Sequence, residues 1–266
     1  PDRLWQVTFE EVLPKYVHYW TQSDLYRASV KAACSGTSSS MQNLGQDQFK
    51  SFPFTLPQPN EQIAIAAFLD RETGKIDAQV AEQEKLIALL KEKRQAVISP
   101  AVTKGLNPDA PMKPSGIEWL GDVPAHWEVK SIRYIVDAIG DIDHRMPQSV
   151  ENGVPYLMTG DLKDFASQVS LDDCKKVSYS DYLELTKRMR IAKGDVVMAR
   201  YATIGTLMYV DADVEILVSY SSVTLKTNHS KMPGMFLFHY MKSDAFRQGV
   251  GHRVNTNTQA NVGIGD

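Results

Sequence analysis

The most regular pattern of hydrophobic and polar positions in this chain lies between Asn60 and Ser99. Its residues alternate at spacings of four and three, the period of a coiled-coil seam, with Gln83 and Arg94 as the two polar members. The apolar stripe consists of Ile76, Val80, Ile87, Leu90 and Val97. We predict one long helix with Asn60 as N-cap and Pro100 as its stop. Gly74 weakens it by about 1 kcal/mol relative to Ala.

Such a helix would be roughly 60 Å long at 1.5 Å per residue. Because its other faces are polar, the apolar stripe needs a covering surface. Two explanations stay open: the helix packs on its own domain, or it is a coiled-coil strut, which the length favours. A strut would bind either a second copy of the chain, antiparallel, or a helix from another chain.

Short mixed elements follow the long helix. Residues 103–114 are rich in Pro, Gly and Asn and predict an irregular linker, with a new domain from Ser115. A helix is predicted near 181–188, capped by Ser178. Together with several short strands this is an α+β pattern. The predicted strands cover 156–158, 196–199, 207–210, 216–218 and 223–226.

An internal repeat organises the chain. Residues 16–30 (YVHYWTQSDLYRASV) match residues 236–250 (FLFHYMKSDAFRQGV), with a proline ahead of each helix. Polar stretches at 37–45 and 255–263 then correspond. A long period of this kind predicts two similar domains rather than a solenoid. After the first copy, a β-like segment at 53–57 leads into the long helix.

Composition is that of an ordinary globular protein: 266 residues with 43% hydrophobic and 23% charged. The net charge of −3 gives no broad basic field, so any DNA affinity must come from local patches or from a partner. The cysteines Cys34 and Cys174 are far apart and lack metal-ligand spacing, which fits a reduced, cytoplasmic setting. No apolar run reaches the length of a membrane span.

Catalytic chemistry is not evident. The six histidines are scattered without ligand spacing, and no phosphate loop or Gly-x-Ser-x-Gly turn occurs. Asp-x-Lys at 161–163 and 173–175 lacks a convincing acidic partner for a nuclease. Asn107-Pro108-Asp109 lacks the remainder of an amino-methyltransferase motif. We therefore expect a binding protein with no catalytic residues, no metal and no cofactor.

Residues 61–107 and 115–130 resemble the central region of the specificity subunit of type I restriction-modification systems. The similarity continues through GVPYLMTGDLKD (153–164), GDVVMARYATIG (194–205) and SDAFRQ (243–248). It covers nearly all of the chain. The motifs are long and distinctive, so chance is a poor explanation.

This resemblance implies a non-catalytic subunit with two target-recognition domains, each contacting one half of a split double-stranded DNA sequence. Long antiparallel helices space the two domains and dock methyltransferase (M) subunits, through which restriction (R) subunits join the complex. The implied domains are the tail of a first recognition domain (1–58), a spacer helix (59–102), a linker (103–114) and a second recognition domain, incomplete at its C-terminal end (115–266). The chain would thus be a partial specificity subunit that serves DNA methylation and cleavage performed by other chains.

Polar side chains on loops are the candidates for DNA contact, since Arg, Asn and Gln are the preferred partners of base edges. The leading group is the loop after the second repeat copy, with Ser39 and Gln42 in the matching loop of the first copy. Basic and aromatic residues after predicted strands or on turns complete the set. The leading loop supplies Asn257, Thr258, Gln259 and Asn261, and the other candidates are Arg200, Tyr201, Thr159, Lys163, His144 and Arg145. For each of them an ordinary turn, cap or salt bridge is the alternative.

The sequence therefore predicts an α+β target-recognition domain joined to a long coiled-coil helix, with DNA recognition as the function. Ile76, Val80, Ile87, Leu90 and Val97 are the predicted partner-binding residues. The rival is a coiled-coil adaptor that binds no DNA and whose α/β domain binds a peptide. A self-contained methyltransferase is a third possibility.

Overall fold

A computed structural model describes residues 6–34, 43–254 and 260–263 of the chain. It mixes helices and sheets, so the predicted α+β class is confirmed. The chain separates into two compact units, residues 1–89 and 90–266, with the division inside the long helix. The domain boundaries inferred from the sequence stay a prediction.

Helices make up the first unit. They are α1 (Pro14–Thr21), α2 (Asp24–Ala33), α3 (Gln46–Lys50) and the first part of α4 (Pro59–Thr103). Gln62 on α4 is buried, and its side chain accepts from Leu13 N (2.8 Å) and donates to the Pro57 carbonyl (2.9 Å). Because a buried amide needs such partners, Gln62 fixes the start of α1 against α4.

The helix α4 is a single element of 45 residues, and Gly74 does not interrupt it. Two details of its predicted ends were wrong. It begins at Pro59, so Asn60 lies in the first turn and is not the N-cap. It also continues through Pro100 to Thr103, because side chains on both sides of the proline form hydrogen bonds that hold the last turn.

The β-like segment at 53–57 does not form a strand. Phe54 instead packs its ring on Trp20 at 4.7 Å and on Tyr16 at 5.9 Å between centroids. Aromatic packing onto α1 therefore replaces strand pairing, for which this part of the described chain offers no partner.

The second unit contains the sheets. Its helices are α5 (Tyr179–Leu185), α6 (Gly234–Met241) and α7 (Asp244–Gly251). The strands are β1 (Met112–Pro114), β2 (Asp122–Pro124), β3 (Val136–Gly140), β4 (Val154–Leu157), β5 (Lys175–Val177), β6 (Val196–Ala199), β7 (Leu207–Tyr209), β8 (Leu217–Val218) and β9 (Ser222–Thr227). The five predicted strands correspond to β4, β6, β7, β8 and β9 within one or two residues, and Ser178 caps α5 as predicted. The strand β1 falls in the predicted irregular linker and pairs antiparallel with β2.

Two sheets face each other in this unit. One has the order β3-β9-β6-β7 and is antiparallel; the other has the order β5-β4-β8, with β4 and β8 parallel. Alternate residues of β6 lie in different hydrophobic clusters: Val197 packs between the two sheets, whereas Val196 packs against α6. The outer face of the smaller sheet packs against α5. Because both faces of β6 are covered, all four of its residues are buried.

The internal repeat is visible as matching local structure. In each copy a serine between two helices caps the second one: Ser23 Oγ accepts from Tyr26 N, and Ser243 Oγ accepts from Phe246 N, both at 3.3 Å. The ring pair Trp20–Tyr26 (4.8 Å) has its counterpart in Tyr240–Phe246 (6.1 Å). The repeat is thus a repeated helix–turn–helix.

Candidate nucleic-acid interface

A buried ion pair lies at the end of β6 in the second unit. Arg200 directly follows this strand, is only 5% exposed, and donates from Nη2 to Asp141 Oδ2 at 2.9 Å. Asp141 directly follows β3 and is also buried. Burying either charge alone would cost several kcal/mol, so each requires the other. The pair therefore fastens the ends of two strands that are not neighbours in their sheet.

Two more basic side chains surround the same carboxylate. His144 Nε2 lies 2.9 Å from Asp141 Oδ2, and Arg188 Nη2 lies 3.4 Å from Asp141 Oδ1. The His144 ring stacks on Tyr220, with 5.0 Å between centroids and 25° between planes. The His144 side chain is 56% exposed, so part of its ring remains accessible to a ligand.

Arg200 also fixes the segment that ends at residue 263. Its Nη1 donates to the Val262 carbonyl (3.4 Å), and Val262 N donates to the Arg200 carbonyl (3.2 Å). Tyr201 and Asn261 form an antiparallel bridge beside these bonds. The predicted contacts Tyr201 and Asn261 are therefore adjacent, although 60 residues separate them in the sequence.

The loop after β4 joins the same region. The Thr159 carbonyl accepts from Thr203 Oγ1 at 3.5 Å, and Thr203 lies in the loop between β6 and β7. Asp161 closes the turn by accepting from Met158 N at 2.8 Å. Lys163 is exposed, with no ion-pair partner in the described parts of the chain.

Arg145 points elsewhere. Its Nη2 lies 3.1 Å from Asp181 and 3.2 Å from Glu184 on α5, and the side chain is about half exposed. Contact with a phosphate would require it to leave these carboxylates. Since exposed pairs contribute only about 0–1 kcal/mol, such a rearrangement is inexpensive.

Several predicted contacts lie outside the described residues. These are Asn257, Thr258 and Gln259 in the second repeat copy, and Ser39 and Gln42 in the first. The described residues on either side of 255–259 are the end of α7 and the segment bonded to Arg200.

Sequence reasoning missed Asp141, Tyr220 and Arg188. Asp141 stands in the motif Gly140-Asp141-Ile142-Asp143-His144, where three polar residues share one loop and nothing distinguishes the buried one. Only its bond to Arg200, 59 positions away, identifies it.

Tyr156 lies on β4 with its side chain fully enclosed. Burial raises its pKa to about 12, and the nearby Tyr220 hydroxyl contributes in the same direction. Its hydroxyl is therefore neutral throughout the physiological range.

The predicted partner-binding stripe on α4 is solvent exposed. Ile76, Val80, Ile87, Leu90 and Val97 are each between 51% and 63% exposed. Leu86 and Leu89 are exposed as well. A run of large apolar side chains in water on one helix is typical of an interaction surface.

Neither a metal centre nor a membrane segment was found in the described parts of the chain. They hold no group of three His, Cys, Asp or Glu side chains suited to a metal ion. None of their helices is both long and apolar enough to cross a membrane.

Comparison with known proteins gives related sequences but no match to a protein-family model. The EcoBI specificity subunit of Escherichia coli is 24% identical over 195 residues, covering 71% of this chain and 40% of that protein. The MjaVIII specificity subunit of Methanocaldococcus jannaschii is 25% identical over 210 residues (75% and 46%). The EcoKI specificity subunit of Escherichia coli is 25% identical over 188 residues (70% and 37%). All three are type I restriction enzyme subunits, and the chain spans less than half of their length.

Two of the solved structures that align with the chain are specificity subunits. The HsdS subunit of Thermoanaerobacter tengcongensis has a TM-score of 0.41 and 14% identity, covering 95% of this chain and 59% of that one. The S subunit of M. genitalium has a TM-score of 0.40 and 15% identity, covering 91% and 56%. The resemblance found in the sequence motifs is therefore confirmed by its relatives: over about three quarters of its length, this chain is similar in sequence to the specificity subunits of type I restriction enzymes.

Proposed function

We propose that this chain is a non-catalytic DNA-recognition subunit of a type I restriction-modification complex in the cytoplasm. Its second unit recognises one half of a bipartite double-stranded target. One observation carries the proposal: predicted DNA contacts from separate loops meet around Arg200 and Asp141. His144, Tyr201 and Asn261 are each bonded to this pair or to its immediate neighbours.

The chemistry of this region suits base recognition. Asn261 and Tyr201 carry groups that hydrogen-bond base edges, and His144 with Tyr220 supplies a stacked aromatic pair. The loop 255–259 adds three amide or hydroxyl side chains, at Asn257, Thr258 and Gln259.

The charges of the region predict weak binding by the chain alone. Arg200 is neutralised by Asp141, and Arg145 is paired with α5. Lys163 is exposed and has no ion-pair partner among the described residues, whereas His144 also lies beside Asp141, so few phosphates would be contacted. A net charge of −3 agrees with a subunit that shares its DNA with partner chains.

The stripe on α4 is the proposed docking surface for methyltransferase subunits, with restriction subunits joining through them. Its five apolar side chains are exposed to water unless a partner covers them. Covering them would stabilise the complex by about 25 cal/mol for each Å² of apolar surface buried. The similarity to specificity subunits supports this partner over an unrelated helix. Antiparallel association of two copies through the same stripe is the competing arrangement.

Selection from a pool of random-sequence duplexes tests recognition. The chain is used alone and with methyltransferase subunits, and binding of the enriched duplex and a scrambled duplex is compared at several salt concentrations. Each phosphate that the protein neutralises should make the slope of log K against log salt concentration more negative by about 0.9. We expect an enriched bipartite sequence; binding of neither duplex in either preparation would favour the adaptor that binds no DNA.

The variant pair Asn257→Ala with Gln259→Ala tests the leading loop. Specific binding should weaken by a few kcal/mol at most, given about 1–3 kcal/mol for each bidentate base contact. Asn152→Ala is the matched control, because Asn152 is exposed and precedes β4, at the opposite end of that strand from Thr159. An equal weakening of both duplexes would assign the loop to phosphates instead of bases.

A further inference from the structure

The Asp141–Arg200 pair connects several segments of the second unit beside the predicted DNA surface. Arg200 Nη2 also donates to the Tyr220 carbonyl at 3.3 Å, in the turn between β8 and β9. Together with Val262 and Asp141, Arg200 thus holds three segments that are distant in sequence. Asp141 adds a fourth through Arg188, whose Nη2 lies 3.4 Å from Asp141 Oδ1.

Burial separates Arg200 from solvent. Its guanidinium is engaged by the Asp141 carboxylate and by the carbonyls of Val262 and Tyr220. A base contact would require those bonds to break and leave the buried Asp141 charge without its closest partner. Arg200 is therefore poorly placed to contact DNA itself.

The backbone beyond Arg200 is held in an unfavourable conformation. Ala202 has φ of 57°, in the left-handed region that residues other than glycine seldom adopt. Such a conformation persists where the surrounding structure enforces it. Here Arg200 and the Tyr201–Asn261 bridge fix the chain on one side, and Gly205 N, bonded to the Ala199 carbonyl at 3.1 Å, fixes it on the other.

We propose that Asp141 and Arg200 are a positioning pair that sets the specificity of DNA recognition by holding Tyr201, Asn261 and His144 in one arrangement. The inference rests on the proposed function and assigns roles within it. Neither residue of the pair touches DNA; they act through the loops they fasten.

This proposal and direct contact by Arg200 predict opposite effects of Asp141→Asn. If Arg200 contacts DNA, removing its counter-charge frees the guanidinium and removes a negative charge near phosphate, so binding strengthens. If the pair positions the loops, Asp141→Asn and Arg200→Gln both weaken specific binding. The double variant should then be no worse than the single variants, because both disrupt the same unit.

Hydrogen exchange of the free full chain tests the structural step without DNA. We expect peptides covering 219–222 and 260–263 to exchange at least about tenfold faster in Asp141→Asn, since a buried ion pair has been broken. Asp195→Asn is the matched control: it breaks the Lys226–Asp195 pair at the start of β6, the opposite end of that strand. The double variant Asp141→Asn with Arg200→Gln leaves no unpaired buried charge. If either single variant fails to fold, the double variant is used for the exchange and binding measurements instead.

Duplex binding by the same variants tests the functional step. The affinity ratio of enriched to scrambled duplex should fall about tenfold or more, the value of one misplaced base contact, with an unchanged salt slope. Unchanged exchange in these peptides, stronger binding by Asp141→Asn, or an unchanged ratio despite faster exchange would each overturn the proposal. If the wild-type chain, with its partners, binds no duplex, the proposed function fails, and the exchange data alone then decide whether the pair holds the loops.

Discussion

Replacement of Pro100 by alanine is expected to stabilise the protein. Pro100 lies inside α4 and has no N–H to donate to the carbonyl of Ala96. The surrounding turn is nevertheless regular: Lys104 N donates to the Pro100 carbonyl at 2.7 Å, and Thr103 Oγ1 donates to the Ser99 carbonyl at 2.6 Å. Since Pro100 is exposed, an alanine there meets no steric obstacle.

The magnitude follows from two opposing effects. Proline in a helix interior is about 3 kcal/mol less favourable than alanine. Alanine gives the unfolded chain more freedom, which offsets about 0.4–1 kcal/mol. The net gain in the free energy of unfolding is about 2 kcal/mol, or a rise of about 4–8 °C in Tm for a unit of this size.

Thermal unfolding followed by circular dichroism measures this change. Pro108→Ala is the matched control, because Pro108 is exposed in a turn outside the helix and only the unfolded-state effect applies. Its Tm should fall by about 1–4 °C. An unchanged or lower Tm in Pro100→Ala would refute the reasoning. It would show that Gln95 and Ser99 need the proline to reach Lys242 and Asp244, to which they are bonded.

Three further predictions concern other parts of the molecule. Leu90→Asp should abolish self-association or docking of methyltransferase subunits in analytical ultracentrifugation, whereas an unchanged assembly would mean that the α4 stripe is no interface. Ser23→Ala and Ser243→Ala should each lower the free energy of unfolding by about 1 kcal/mol in urea titrations, because each removes a helix cap. An unchanged free energy of unfolding in both variants would mean that these serines do not stabilise their helices. Tyr156 has a pKa of about 12 when folded and near 10 when unfolded, so unfolding releases a proton between these values and stability falls as pH rises through that window. The fall should be smaller in Tyr156→Phe, and equal slopes for both proteins would contradict the raised pKa.

Local patterns in the sequence were sufficient for the long helix α4, for α5, for the helices of the repeat and for five of the nine strands described in the second unit. The stripe from Ile76 to Val97 predicted α4, since helical periodicity depends only on neighbouring residues. The repeat aligned the two Ser-Asp pairs at which α2 and α7 begin, and β6 matched its prediction from Val196 to Ala199. The family resemblance was likewise present in contiguous motifs.

Contacts between distant residues decided what the sequence left open. The helix continues past Pro100 because Gln95 and Ser99 form hydrogen bonds with the turn between α6 and α7. The rule that a helix ends at proline considers only neighbouring residues and so misses these distant bonds. Phe54 packs on Trp20 instead of joining a strand, because a strand requires a neighbouring one to bond.

The candidate DNA surface shows the same division most clearly. Sequence alone marked His144, Arg200, Tyr201 and Asn261 as polar or aromatic residues at loop positions, with Asn261 in the leading group, but it did not show which of them are adjacent or buried. Tertiary structure placed them together and buried Arg200 against Asp141, a residue with no distinguishing signal of its own. The physical reason is that a charge becomes structural only when the fold removes it from water and supplies its partner, and here that partner is 59 positions away along the chain.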